Sequence, residues 1–152
     1  MKHILSILLL IPFSLFAEQK CTTAYIHFFS VVDSLPVPAG VQVKLDSAQK
    51  ATAKDLAQKK KAYQKKYKDP KTVAGKLKQD QALDNANNLK LKRKLEVKFY
   101  VKQISAAQLK IYDKGKVYDS VMNADSPLYA NLPANSCDET ANCLKLVREM
   151  LK

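Results

Sequence analysis

The side chains able to do covalent or metal chemistry are few and lie near the two ends of the chain. Of the two histidines, His3 belongs to the leading apolar segment, so a nucleophile–histidine–carboxylate arrangement would have to be built around His27. His27 stands in the run Ala24-Tyr25-Ile26-His27-Phe28-Phe29, where a packed or hydrogen-bonded imidazole is a better expectation than a general base. Cys21, Cys137 and Cys143 together with His27 would offer three sulfurs and a nitrogen to zinc, but the spacings Cys21 to His27 and Cys137 to Cys143 are not those of common zinc motifs. In an oxidising compartment such thiols pair. One disulfide is expected, with Cys137–Cys143 slightly ahead of a bridge from Cys21, and the odd thiol is left buried or paired between chains. Glycine occurs only at positions 40, 75 and 115, too sparse for a phosphate-cradling loop. These residues predict no catalysis, no cofactor and no metal.

What remains is charge. Of the 26 Lys and Arg residues, 20 fall between Val41 and Lys114, against 7 of the 14 Asp and Glu, so the surplus positive charge is confined to the middle of the chain. Only Arg93 and Arg148 are arginines. Lysine is a hydrated point charge without the planar fork of arginine, so the pattern predicts generic, salt-screened attraction of anionic partners and not specific phosphate reading. Composition alone allows a nucleic-acid binder, but the start of the chain argues against one.

Lys2 and His3 make a short positive segment, and Ile4 to Phe16, broken only by Ser6, Pro12 and Ser14, is apolar and closed by Ala17. Residues 1–17 therefore read as a signal peptide cleaved near Ala17. The apolar run is shorter than the roughly 20 residues that span a bilayer. Glu18, Gln19 and Lys20 before Cys21 do not suit lipidation. The expected location is the periplasm, and no nucleic acid is expected as a partner there.

Charge and export require a scaffold, and the mature chain falls into four zones. Thr22 to Leu35 holds an apolar, aromatic stretch that suits a buried strand, with a short helix able to take over near Phe29. After Pro36, Pro38 and Gly40, the residues from Val41 to about Lys68 contain neither Gly nor Pro and predict one long helix. Its seam, Val41, Leu45, Ala48, Thr52, Leu56, Lys60 and Tyr63, is thin and partly polar. Asp69 and Pro70 end that helix and suit the start of the next, with the hairpin tip within 69–81. From about Lys76 to Lys114, Leu83, Lys90, Val97, Ile104 and Ile111 recur every seven residues, with Val101 between. Leu95, Val97, Phe99 and Val101 also alternate as a strand would; length and the heptad favour helix. Two helices of similar length joined by a short turn predict an antiparallel hairpin. Gly115 suits a helix end, Val117–Met122 and Pro127–Leu132 suit short strands, and Asp138 or Thr140 suits the cap of a last helix with Leu144, Val147 and Leu151 on one face. The fold class is then α+β, mainly α. A coiled-coil-like arm, residues 41–114, projects from a small β-containing body formed by 18–40 and 115–152.

This layout resembles the Skp/OmpH family of periplasmic chaperones for outer-membrane proteins. Ala24-Tyr25-Ile26 through Ser34-Leu35-Pro36, with Gly40 and Val43 to Leu45, is similar to the family's first strand and its approach to the first long helix. Tyr118-Asp119-Ser120-Val121-Met122-Asn123 and Leu128-Tyr129-Ala130 resemble the strands after the hairpin, and Asp138 to Leu151 stands where the family has its terminal helix. The cysteines, the paired prolines and the polar first helix depart from the pattern. The resemblance implies a homotrimer that holds unfolded outer-membrane proteins, without ATP, in a cavity between basic helical arms. The arm surface expected to meet such clients is Lys59, Lys60, Lys61, Lys65, Lys66, Lys92, Arg93 and Lys94. Tyr63, Tyr67, Phe99 and Tyr100 serve either as client contacts or as packing between the two helices. A competing expectation is a structural or secretion-associated coiled coil whose basic hairpin binds anionic lipid, lipopolysaccharide or cell-wall polymer.

Overall fold

Side-chain alternation sets the first element. Ala24 and Ile26 are fully buried on one face of strand β1 (Thr23–Ile26). His27 then stands at the N-cap position of a six-residue helix α1 (Phe28–Asp33), which ends where the Ser34 amide donates to the carbonyls of Ser30 and Val31. Pro36 and Pro38 keep the following link out of the helical ladder, and α2 (Ala39–Lys66) starts directly after Pro38. The computed structural model describes residues 21–114, 117–127 and 131–152; the signal-peptide segment 1–17, Gly115 and the centre of the expected strand at 127–132 lie outside them.

Only Tyr67, Lys68 and Asp69 separate α2 from α3 (Pro70–Asp113). The Asp69 carboxylate accepts from the amides of Lys71 and Thr72 at 3.1 and 3.2 Å, and Pro70 fills the first turn, where a missing N–H costs nothing. Helix α3 has 44 residues and α2 has 28, so the expected similarity in length does not hold. At 1.5 Å per residue they measure roughly 65 and 40 Å. The alternation at 95–101 is overridden: this stretch is helical, and its inward side chains are Glu96, Tyr100 and Ile104, one turn apart.

The sheet has three strands in the order β2–β1–β3, all parallel. Strand β2 (Ser120–Asn123) pairs with β1 in the register Ala24 to Val121, and β3 (Ser136–Asp138) pairs on the other side in the register Ala24 to Cys137. The helices α1 to α3 connect β1 to β2, and about a dozen residues cross from β2 to β3, the length a parallel crossover needs. Among the described residues the last strand is at 136–138, a position its composition did not suggest. Helix α4 (Thr140–Met150) follows at once, with the Asp138 carboxylate accepting from the Thr140 amide at 2.9 Å.

One core joins these elements. Ile26, Val31, Val32 and Leu35 meet Tyr100, Ile104, Ala107 and Ile111 of α3 and Cys143 and Val147 of α4. The last part of α3, placed in the arm by its sequence, thus packs against α1, β2 and α4. Tyr100 is 2% exposed, and its hydroxyl donates to the Pro36 carbonyl. Burial, helped by the nearby Glu96 carboxylate, raises its phenol above the ordinary tyrosine range. Of the heptad residues, Ile104 and Ile111 are buried, but Leu83 and Val101 are exposed. On α4, Cys143 and Val147, one turn apart, are buried, Leu144 packs against the core beside them, and Leu151, just past the helix, is exposed.

The cysteines correct the expected pairing. Cys21 is bridged to Cys137, with Cα atoms 5.7 Å apart, and Cys143 is a free thiol within the core. Cys143 sits in α4 and is buried in the core, whereas Cys137 lies in β3 beside β1, close to the chain leading into β1. Burial pushes the Cys143 thiol up to about 11. At pH 8 it is expected to resist iodoacetamide in the folded protein and to react stoichiometrically in denaturant, as counted by mass spectrometry.

The Tyr118 hydroxyl donates to the Glu139 carboxylate, joining the approach to β2 to the cap of α4. This hydrogen bond, together with burial, pushes the Tyr118 phenol up to about 12. Because the folded value lies above the unfolded one, the contribution to stability is complete below about pH 10. It is lost as pH rises through the folded value near 12. Alkaline titration of phenolate absorbance should show late-titrating tyrosines, of which the Tyr118 component moves to lower pH on Glu139→Gln.

Candidate binding surface

Helices α2 and α3 meet through a seam whose side chains read Val41, Leu45, Ala48, Thr52, Leu56, Lys59 and Tyr63 along α2, all at least half-buried. Lys59 replaces the expected Lys60, which is exposed. Spacings of three and four follow from the helical repeat, but only Val41 and Leu45, nearest the core, are fully buried. Farther along, Leu45, Thr52 and Leu56 face Gln81, Asn85, Asn88 and Leu89 across a cleft of about 500 Å³. Amide and hydroxyl linings keep such a cleft inexpensive to hydrate, so this stretch of the seam adds little cohesion.

Past the cleft the contacts become polar and directional. The Tyr63 hydroxyl donates to Asp80 at 2.8 Å, raising the Tyr63 phenol, chiefly through that bond. Lys59 pairs with Asp55 at 2.9 Å on its own helix and reaches Asp80 across the seam at 3.9 Å; the Asp55 hydrogen bond is the main cause of its raised pKa. At the turn the Tyr63 and Tyr67 rings lie 6.0 Å apart, and the Lys66 ammonium stands 5.5 Å from the Tyr67 ring centroid. Tyr67 also lines a second cleft of about 530 Å³ with Lys60, Val73 and Leu77. Tyr63 thus bonds across the two helices, while Tyr67 stacks beside it at the turn.

The residues expected to carry charge divide into two groups. Lys59 is paired, Lys92 lies 3.8 Å from the buried Glu96, and Arg93 binds Asp33 through both terminal nitrogens while stacking 4.8 Å over the Phe29 ring. Lys60, Lys61, Lys65, Lys66 and Lys94 are exposed and, among the described residues, make no ion pair. Phe99 is 46% exposed, with its ring edge against Tyr100 at 5.0 Å, so the two neighbouring aromatics have opposite fates. Tyr100, read from sequence as contact or packing, is packing and is withdrawn from the surface. The lysine face near the turn and Lys94 near the core lie on the same two helices but are far apart along them; the surface is a field and not a pocket.

Sequence reasoning missed Phe29 and Leu89. Both are large apolar side chains left exposed, at 41% and 67%, on either side of Arg93. Their sequence signals, an aromatic in a strand-like run and a leucine in an Asn- and Lys-rich helix, gave no sign that α1 and α3 would bring them together.

His27 anchors the other end of the molecule. Its amide donates to Thr140 at 2.9 Å, and its Nδ1 lies 3.2 Å from the Asp125 carboxylate, which also accepts from the Phe29 amide at 2.6 Å. Asp125 therefore caps α1 from a distant turn, and the imidazole is hydrogen-bonded, as its setting in sequence predicted. No family model, no curated protein and no solved structure matches the chain.

Proposed function

We propose that this chain is an exported holdase chaperone of the Skp/OmpH kind, which binds unfolded outer-membrane proteins without ATP. In this reading α2 and the facing part of α3 form an antiparallel hairpin arm, and both ends of the chain form the body. Three bodies associate, and the arms enclose a cavity. The observation that carries the reading is the separation of roles along α2 and α3. Beyond the core the helix pair is held by a sparse, partly polar seam, yet it bears most of the surplus positive charge as exposed lysines. Strands β2 and β3 each pair only with β1 among the described residues, leaving short outer edges on which neighbouring copies can associate.

The mechanism is physical. Lysine fields speed the encounter with acidic, unfolded chains, and half-exposed apolar side chains such as Phe99 then add weak contacts tolerant of sequence. Many weak contacts allow release without fuel. Light scattering should show that the mature protein suppresses aggregation of a urea-diluted β-barrel client, less effectively as salt rises. Reversing Lys60, Lys61, Lys65 and Lys94 to Glu should slow client capture about tenfold or more at low salt. Sedimentation should give a trimer; a monomer would leave no cavity and defeat the mechanism.

The second reading, binding of anionic lipid or lipopolysaccharide, is favoured by the tyrosine pair flanked by exposed Lys65 and Lys66 at the turn. Binding to anionic vesicles with no effect on client aggregation would select it.

A further inference from the structure

An open groove of about 550 Å³ lies where the start of α1 faces the middle of α3. Its floor is apolar: Phe29 from α1, and Leu89 and Val97 two turns apart on α3. Between them Arg93 is held in place by its two bonds to Asp33 and stacks on the Phe29 ring, so its charge is largely answered and it serves as a flat wall. The rim charges come instead from Lys90 and Lys94, one turn apart, both exposed and without an ion pair among the described residues. A contiguous apolar strip bordered by two available cations is complementary to a segment that is itself half apolar and half acidic. Lys90 and Lys94 are separated by roughly 6 Å along the helix. That is close enough for one carboxylate to lie between them, and on one face of an extended chain the nearest neighbouring side chain is two positions, roughly 6.6 Å, away, where it can meet the apolar strip.

We propose that this groove binds an extended peptide segment carrying an aromatic side chain two positions from a carboxylate. The ring would lie on Phe29, Leu89 and Val97, and the carboxylate between Lys90 and Lys94. The inference rests on the holdase reading and specifies which client segments the base of the arm selects. It places an anchoring contact beside the core, where the scaffold is firm, and leaves the diffuse capture to the lysines near the turn.

The test is a methyl NMR titration of the mature protein with short capped peptides, read at the Leu89 and Val97 methyl groups. A Ser-rich peptide with Phe and Asp two positions apart should shift both methyls and saturate. Replacing its Asp by Lys, or its Phe by Ser, should weaken binding about tenfold. In the protein, Leu89→Glu and the pair Lys90→Glu with Lys94→Glu should each weaken it by a similar factor. Unchanged circular dichroism is expected for both, because the altered side chains are exposed. Equal binding of the Asp and Lys peptides overturns the proposed recognition chemistry, and equal binding by the unaltered protein and both variants overturns the groove. A client-aggregation assay run in parallel keeps the two readings apart. Suppression that persists while peptide binding is absent from the groove overturns this inference alone, and no suppression by the unaltered protein overturns the holdase reading and this inference with it.

Discussion

Removing both Cys21 and Cys137 as the paired serine variant is expected to lower stability by about 3–5 kcal/mol, measured by urea denaturation. The bridge closes a loop with a sequence separation of 116, nearly the whole described chain. In the chain-entropy picture a loop of that order restricts the unfolded ensemble by roughly 4.7 kcal/mol. Few apolar groups would compensate. Strand β3 is three residues of Ser, Cys and Asp, and its contribution is its pairing with β1 and the covalent tie itself. The serine variant should therefore lose the outer strand first, with fast amide exchange at Tyr25 and Glu139, whose backbone groups are bonded at 2.8 Å across the end of that strand. Reduction with dithiothreitol should reproduce the loss. If the two serines left the urea midpoint unchanged, the bridge would not tie the ends of the chain together in solution.

The second large effect separates two adjacent aromatics. Tyr100→Ala should cost about 3–5 kcal/mol, because it removes the largest fully buried side chain of the core and leaves a cavity between Ile26, Ile104 and the residues of α1. Tyr100→Phe should cost about 1 kcal/mol, the worth of its hydrogen bond to Pro36, whose residue is exposed enough for water to replace the lost donor. Phe99→Ala should cost about 1 kcal/mol or less, since only the ring contact with Tyr100 is lost. The functional signs are reversed. Phe99→Ala should weaken client holding with stability nearly intact, while Tyr100→Phe should leave holding unchanged. Equal destabilisation by Tyr100→Ala and Phe99→Ala would mean that α3 is rotated about its axis relative to this structure.

Much of the scaffold was legible because local chemistry decides it. Asp69-Pro70 marks the break between α2 and α3 in any context, since proline fixes the backbone and aspartate satisfies the free amides. The Gly- and Pro-free stretch from Val41 to about Lys68 favours helix by composition, and its thin seam of spaced side chains returned in the structure with Lys59 in place of Lys60. The concentration of lysine between Val41 and Lys114 is likewise a property of sequence alone.

Other features exist only in three dimensions. Ser136-Cys137-Asp138 has little preference for a strand and becomes one because β1 is there to pair with it and Cys21 to hold it, so the same juxtaposition that makes β3 also decides the disulfide. Tyr100 and Phe99 are indistinguishable by composition; which of them is buried depends on the angle at which α3 meets α1 and α4, a quantity set by packing of residues far apart in the chain. The groove beneath Arg93 arises in the same way, from Phe29 and Leu89 sixty positions apart. Periodicity and capping act within a few residues and are written in the order of amino acids, whereas burial and pairing are settled only when distant segments compete for one core.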